Sequence, residues 1–179
     1  MRRTGLLRPV RLCAAIASLL LMPASVSAQD VTEPALKAAF IYNFAIFTEW
    51  PADVVPAGPF VICVLGDAAV GEALEREFKG RLIAGHSLAV AQLALAGPQR
   101  LCHVLYVSGV TAGQVGRLIA GLRDVPVLTI SDVEGFADLG GIAQFFFEHG
   151  RLRFSVDLAS AGRARLQLSS RLLSLAKHK

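Results

Sequence analysis

The sequence predicts an α/β fold: a single wound, mostly parallel sheet flanked by helices on both faces, with a C-terminal antiparallel hairpin at the edge. Three observations predict it. The run Phe60-Val-Ile-Cys-Val-Leu65 is continuously apolar and ends at Gly66-Asp67, as a strand buried on both faces should. Segments with helical spacing alternate with such strands, which implies parallel strands joined by crossovers. After the turn at His149-Gly150, Leu152, Phe154 and Val156 alternate as in a half-buried hairpin strand.

The elements follow in order. Thr32 can cap a first helix, with Glu33 and Pro34 favoured in its first turn. Leu36, Phe40, Phe44 and Phe47 recur at helical spacing through Trp50, and Pro51 stops the helix. The strand over Phe60–Leu65 precedes a helix from about Ala69 to Lys79. Leu88–Leu93 and His103–Val107 read as the second and third strands, the third ending at Ser108-Gly109. Thr111 caps a helix through Leu122, and Val125–Ile130 is a fourth strand ending at Ser131-Asp132. Gly140-Gly141 opens a strand through Phe147, and Arg151–Val156 returns beside it. The remainder, Leu158–Lys177, is expected to be mainly helical, with Leu168, Leu172, Leu175 and Ala176 on one face.

At 179 residues and 54% hydrophobic content, the chain suits one ordinary domain and not a disordered one. Its charge is unevenly placed. Arg2, Arg3, Arg8 and Arg11 precede the first acid, Asp30, and the rest of the chain carries 14 basic and 14 acidic residues. Those arginines, the apolar stretch Leu12–Met22, the breaker Pro23 and the small residues Val26-Ser27-Ala28 have the layout of a cleavable signal peptide. Residues 1–28 are therefore expected to direct export to the periplasm. The domain is assigned to residues 29–179, which carry no further span and are not themselves transmembrane. The balanced charge without a basic stripe speaks against nucleic acid.

Export determines how the cysteines are read. Cys13 would leave with the leader, so Cys63 and Cys102 remain, and two cysteines in an oxidising compartment most often pair. Two unpaired buried thiols are the alternative. A metal site lacks a second ligand pair at zinc-like spacing, and no cofactor motif is present. Catalysis by Cys102 with the adjacent His103 conflicts with the alternation of side chains along a strand.

The first helix is apolar on too many sides for a surface helix. Opposite its Leu36–Phe40–Phe44–Phe47 stripe it carries Ala38, Tyr42, Ala45 and Ile46, with only Lys37, Asn43 and Thr48 interrupting. Such a helix is buried or docked on a partner. The closing segment can cover it, or Ile41, Tyr42, Ala45 and Ile46 form a homodimer or partner-binding face. Catalytic motifs are absent. The spacing Gly66-Asp-Ala-Ala-Val-Gly71 resembles a phosphate loop, but Glu72 stands where a lysine is needed. The carboxyl ends of three parallel strands bring Asp67, Ser108, Ser131 and Asp132 to one edge, where open parallel sheets bind small ligands. Arg163, Arg165 and Arg171 are an anion-site candidate, with a solvated helix face as the plainer reading. A hydrolase using Ser131 or His103 is a third and weaker reading.

Several stretches resemble the YfiR family of periplasmic proteins. They are Lys37-Ala-Ala-Phe-Ile-Tyr-Asn-Phe44 through Phe47-Thr-Glu-Trp-Pro51, then Val61-Ile-Cys-Val-Leu-Gly-Asp67, Cys102-His-Val-Leu-Tyr-Val-Ser108 and Val127-Leu-Thr-Ile-Ser-Asp132. Gly135-Phe136, Gly140-Gly141, Arg151-Leu-Arg-Phe154 and Leu168-Ser-Ser-Arg-Leu-Leu-Ser-Leu-Ala176 continue the match. The resemblance implies a regulator and not an enzyme. Such proteins form dimers and repress a membrane-anchored diguanylate cyclase, or another inner-membrane sensor, thereby controlling cyclic di-GMP and biofilm growth. It also implies the Cys63–Cys102 pair. The second cysteine pair that some relatives carry is absent from the Ala137–Phe147 region, and Asp157 stands where Asn is expected.

Overall fold

The computed structural model describes residues 31–54 and 58–177. The leader expected over residues 1–28, its cleavage after Ala28, and His178 lie outside them. Helix α1 (Glu33–Ile46) starts at the Thr32 cap, whose hydroxyl accepts from the Ala35 N–H. It ends earlier than its apolar spacing predicts. Thr48 turns its hydroxyl back onto the Phe44 carbonyl at 2.7 Å, and Thr48–Glu49 leaves as a short strand, β1.

Strand β2 (Phe60–Leu65), helix α2 (Ala68–Phe78), strand β3 (Leu82–Ile83) and strand β4 (His86–Leu93) follow. Next come β5 (Val104–Val107), α3 (Ala112–Leu122), β6 (Leu128–Ser131), β7 (Ala143–Glu148) and β8 (Arg151–Val156). Among the described residues these strands form a seven-stranded sheet in the order β3-β4-β2-β5-β6-β7-β8. The five central strands are parallel and β7–β8 is the expected antiparallel hairpin. The opposite edge carries a second hairpin, β3–β4, that the apolar pattern does not announce. β6 begins later than predicted, because Pro126 lacks the N–H that a ladder position needs.

The tail differs most from its helical expectation. It divides into α4 (Leu158–Arg163), β9 (Gln167–Leu168) and α5 (Ser170–Leu173). Arg165 adopts a left-handed φ of 56°, which ends α4, and the chain then extends so that β9 pairs antiparallel with β1. Ser169 restarts a helix by accepting from the Leu172 N–H.

Strand alternation divides the core by face. Ile62, Val64, Val104, Tyr106, Leu128, Ile130 and Phe145 point toward α1 and α2, where the larger core lies. Cys63, Leu65, Leu105 and Val107 point the other way, against Leu118 and Leu122 of α3. Around α1, Phe40 and Phe44 meet Phe145 and Phe154 at ring-centre separations of 4.9 to 6.1 Å, mostly edge to face. The Cys63–Cys102 disulfide ties β2 to the residue two before β5, closing a loop across a sequence separation of 39. Asp157 caps α4 by accepting from the Ala159 and Ser160 N–H groups and the Ser160 hydroxyl. Burial opposes its ionisation, but those hydrogen bonds and the Arg163 charge outweigh burial and hold its pKa below 3.8.

Two expectations follow. Reducing the disulfide should lower the unfolding free energy by about 2–4 kcal/mol, read by urea denaturation with and without reductant. Asp157→Ala should cost about 1 kcal/mol at neutral pH. Because the folded-state pKa is depressed, that contribution is present above the unfolded value and lost as pH falls through the folded one. The gap between wild type and variant should therefore close on acidification, in denaturation curves taken across the acid range.

Candidate functional site

At the carboxyl edge of the sheet one helix side chain meets a cluster built on the ends of two neighbouring strands, β5 and β6. Lys37 sits one turn into α1 with its side chain 7% exposed, and its ammonium lies 2.7 Å from Asp132 Oδ2 and 2.6 Å from Glu33 Oε1. The same Asp132 oxygen accepts from the Tyr106 hydroxyl at 2.9 Å and the Ser108 hydroxyl at 3.3 Å. A lysine this buried requires such partners, because an unpaired ammonium away from water is strongly disfavoured. Burial acts to lower the Lys37 pKa, yet the hydrogen bonds and charges of Asp132 and Glu33 outweigh it and leave the pKa raised above 10.5. Burial, followed by the Asp132 charge, pushes the Tyr106 phenol well above its ordinary value. Tyr106 is thus a fixed donor and Lys37 a fixed cation at neutral pH.

A cleft of about 490 Å³ opens beside this cluster. The last β6–β7 pair is Ser131 with Gln144, but β7 runs on to Glu148, overhanging the end of β6 by roughly 13 Å at the usual strand rise. The overhang supplies one wall, with Phe147 49% exposed, and the first turn of α1 another. Lys37, Asp132, Glu134 and Gln144 line it. Gln144 is 8% exposed; its carbonyl accepts from the Ala137 N–H, while its amide nitrogen has no hydrogen-bond partner among the described residues.

The four residues expected at this edge separate into different roles. Ser108 and Asp132 belong to the cluster. Ser131 is fully buried, donating to the Val107 carbonyl and accepting from the Val133 N–H, which makes it a strand-end brace. Asp67 caps α2 through the Ala69 N–H. Between β2 and β5, where the strand order reverses, Gly66 has φ 101° and a Cβ there would overlap the Ser108 carbonyl. The two loops touch, so the opening is displaced to the β6–β7 side. Sequence reading missed Lys37, Tyr106 and Gln144. The available signal was Lys37, the one charge on α1 beyond Glu33 at its start.

The other candidates resolve as follows. Ile41 and Ala45 are sealed inside the subunit, at 0% and 1% exposure, so they are not a docking face. The reason is that α1 is enclosed on several sides: Tyr42 stacks on Phe78 of α2 at 4.2 Å, and the tail pairs with β1. Of the four, Tyr42 and Ile46 keep surface. The three arginines have separate partners: Arg163 donates to Ser160, Arg165 pairs with Asp53, and Arg171 lies 6.0 Å from the Phe47 ring centre. His103 precedes β5 and accepts the Val61 N–H on Nδ1, with its pKa lowered chiefly by burial. It stands at the opposite end of the strands from Ser131, so the two form no catalytic pair.

These features define a wound α/β domain with a charged, cleft-bearing carboxyl edge and a disulfide-tied sheet. The chain belongs to the YfiR/HmsC-like family, whose model matches residues 34–177. Its fold is similar to that of a conserved domain protein from Vibrio cholerae O1 biovar eltor, with a TM-score of 0.55 and 12% identity over 82% of this chain. The chain spans 60% of the length of that protein. No curated protein sequence matches it. Among the described residues no helix is long and apolar enough to cross a membrane.

The Lys37–Asp132 pair makes a quantitative expectation. Lys37→Met or Asp132→Asn alone should each cost about 1–3 kcal/mol, since each leaves the other partner under-satisfied. The double variant should recover part of that loss in a denaturation double-mutant cycle. Purely additive losses would mean that the pair is not coupled.

Proposed function

We propose that this protein is a periplasmic regulator that represses a membrane-bound diguanylate cyclase by protein–protein contact, acting as a homodimer without a cofactor or catalytic step. The observation that carries the reading is the family match, which covers residues 34–177. The signal-peptide layout of residues 1–28 supports a periplasmic location. Contact on one side of the membrane can govern an enzyme on the other if the protein binds one state of its partner more tightly, because differential affinity shifts the equilibrium. Tyr42 and Ile46 are the surface-bearing members of the α1 contact set.

A second reading is favoured by the cleft at the carboxyl edge. Buried Lys37 and the unpartnered Gln144 amide present donors to it, and Glu33 and Glu134 present acceptors, a mixture suited to a small polar ligand. Occupancy would then modulate the contact with the membrane partner.

Deleting the gene should raise cellular cyclic di-GMP and biofilm mass. Re-expressing the full chain should reverse the rise, whereas a chain lacking residues 2–28 should not. Unchanged cyclic di-GMP in the deletion strain would refute the repressor reading. For the cleft, a thermal-shift screen with amino acids and nucleotides should show stabilisation that Gln144→Leu removes, and a flat screen would count against it.

A further inference from the structure

From Phe78 to Arg123 the chain holds five basic residues, Lys79, Arg81, Arg100, Arg117 and Arg123, and no acidic one. None of the five is in an ion pair among the described residues; the carboxylates that form ion pairs have partners elsewhere. Two of these arginines flank an open groove of about 700 Å³ between α3 and the loop at residues 95–101. Leu118 and Leu122 of α3 line it, with Leu95 and Leu101 across from them on the loop. Leu101 is 72% exposed and Leu95 39% exposed, while Arg100 and Arg117 also line the groove.

A single exposed leucine is ordinary, whereas apolar side chains gathered along one groove are less so. This loop is held at several points. Gln99 Nε2 donates to the Leu95 carbonyl at 2.6 Å, Arg100 Nη2 donates to the Gly121 carbonyl at 2.7 Å, and the next residue after Leu101 is the disulfide cysteine Cys102. Bracing lowers the ordering entropy that a partner would otherwise have to overcome.

We infer that this groove is a docking site for an acidic amphipathic helix of a partner protein, seating apolar side chains on Leu95, Leu101, Leu118 and Leu122 and carboxylates on Arg100 and Arg117. A concave apolar floor between two cations without carboxylate partners suits a helix carrying leucines at helical spacing and acids on its flanks. The inference rests on the protein–protein reading above and moves the docking surface from α1 to the α3 face.

The test uses the full mature chain and a fluorescent helical peptide about four turns long. The peptide carries leucines on one face and glutamates flanking them; a second peptide has lysines instead. The glutamate peptide should bind, and Arg100→Glu/Arg117→Glu should weaken it at least about tenfold while strengthening the lysine peptide. Leu101→Ser should weaken both. Circular dichroism melts should match wild type for Arg117→Glu and Leu101→Ser and fall only slightly for Arg100→Glu, which loses the exposed Gly121 hydrogen bond, so the lysine-peptide gain separates charge from lost bracing. Absence of binding, equal binding of both peptides, or binding of phosphatidylglycerol vesicles with no peptide binding would overturn the inference. This assay reads the groove alone and cyclic di-GMP reads the regulatory role, so either result can fail without the other.

Discussion

The buried ammonium of Lys37 constrains much of this molecule. A cation that far from water must be met by charge and hydrogen bonds, so Asp132 has to stand at the end of β6 and α1 has to cross the sheet where the two can touch. The same carboxylate oxygen takes the Tyr106 and Ser108 hydroxyls, which ties the ends of β5 and β6 to one point. A single interaction thus joins a helix to two parallel strands that are distant in sequence. It sets the rotation of α1 about its own axis. With Lys37 facing inward, Ile41, Phe44 and Ala45 become interior, and Phe40 turns toward β7 and β8.

The position of the cleft follows from register. In a wound sheet the opening lies where the strand order reverses; here the Gly66 backbone passes so close to Ser108 that a side chain at Gly66 would overlap the Ser108 carbonyl. β7 instead overruns β6 and creates a second opening against the first turn of α1. Ligand access and the Lys37 ion pair are therefore adjacent, and anything seated in the cleft would act directly on the link between α1 and the sheet.

The two faces of the sheet serve different ends. α1, α2 and the tail cover one face, and Ala38, Ile41, Phe44 and Ala45 of the most apolar helix are buried there. α3 covers the other with a smaller core, the disulfide beneath it, and a groove flanked by arginines at its side. Apolar content alone pointed to α1 as the partner surface, yet two of the four residues it singled out, Ile41 and Ala45, are buried within the subunit. A better guide to unspent surface is charge without a counter-charge.

Local pattern was enough for the long strands and their direction, though not for the short β1, β3 and β9. The run Phe60–Leu65, the alternation over Leu152, Phe154 and Val156, and the cap at Thr111 specify their elements through side-chain period and backbone hydrogen bonding between near neighbours. The cysteine pair was legible too, since the expected export would leave two thiols in an oxidising compartment, and they pair. Tertiary structure decided what depends on contacts between distant segments: the break of the tail into α4, β9 and α5, the enclosure of Ile41 and Ala45, and the meeting of Lys37 with Asp132 across 95 positions. Periodicity reports which side of an element is apolar. It carries no information on which other element covers that side, because this is set by competition among all the surfaces in the folded chain.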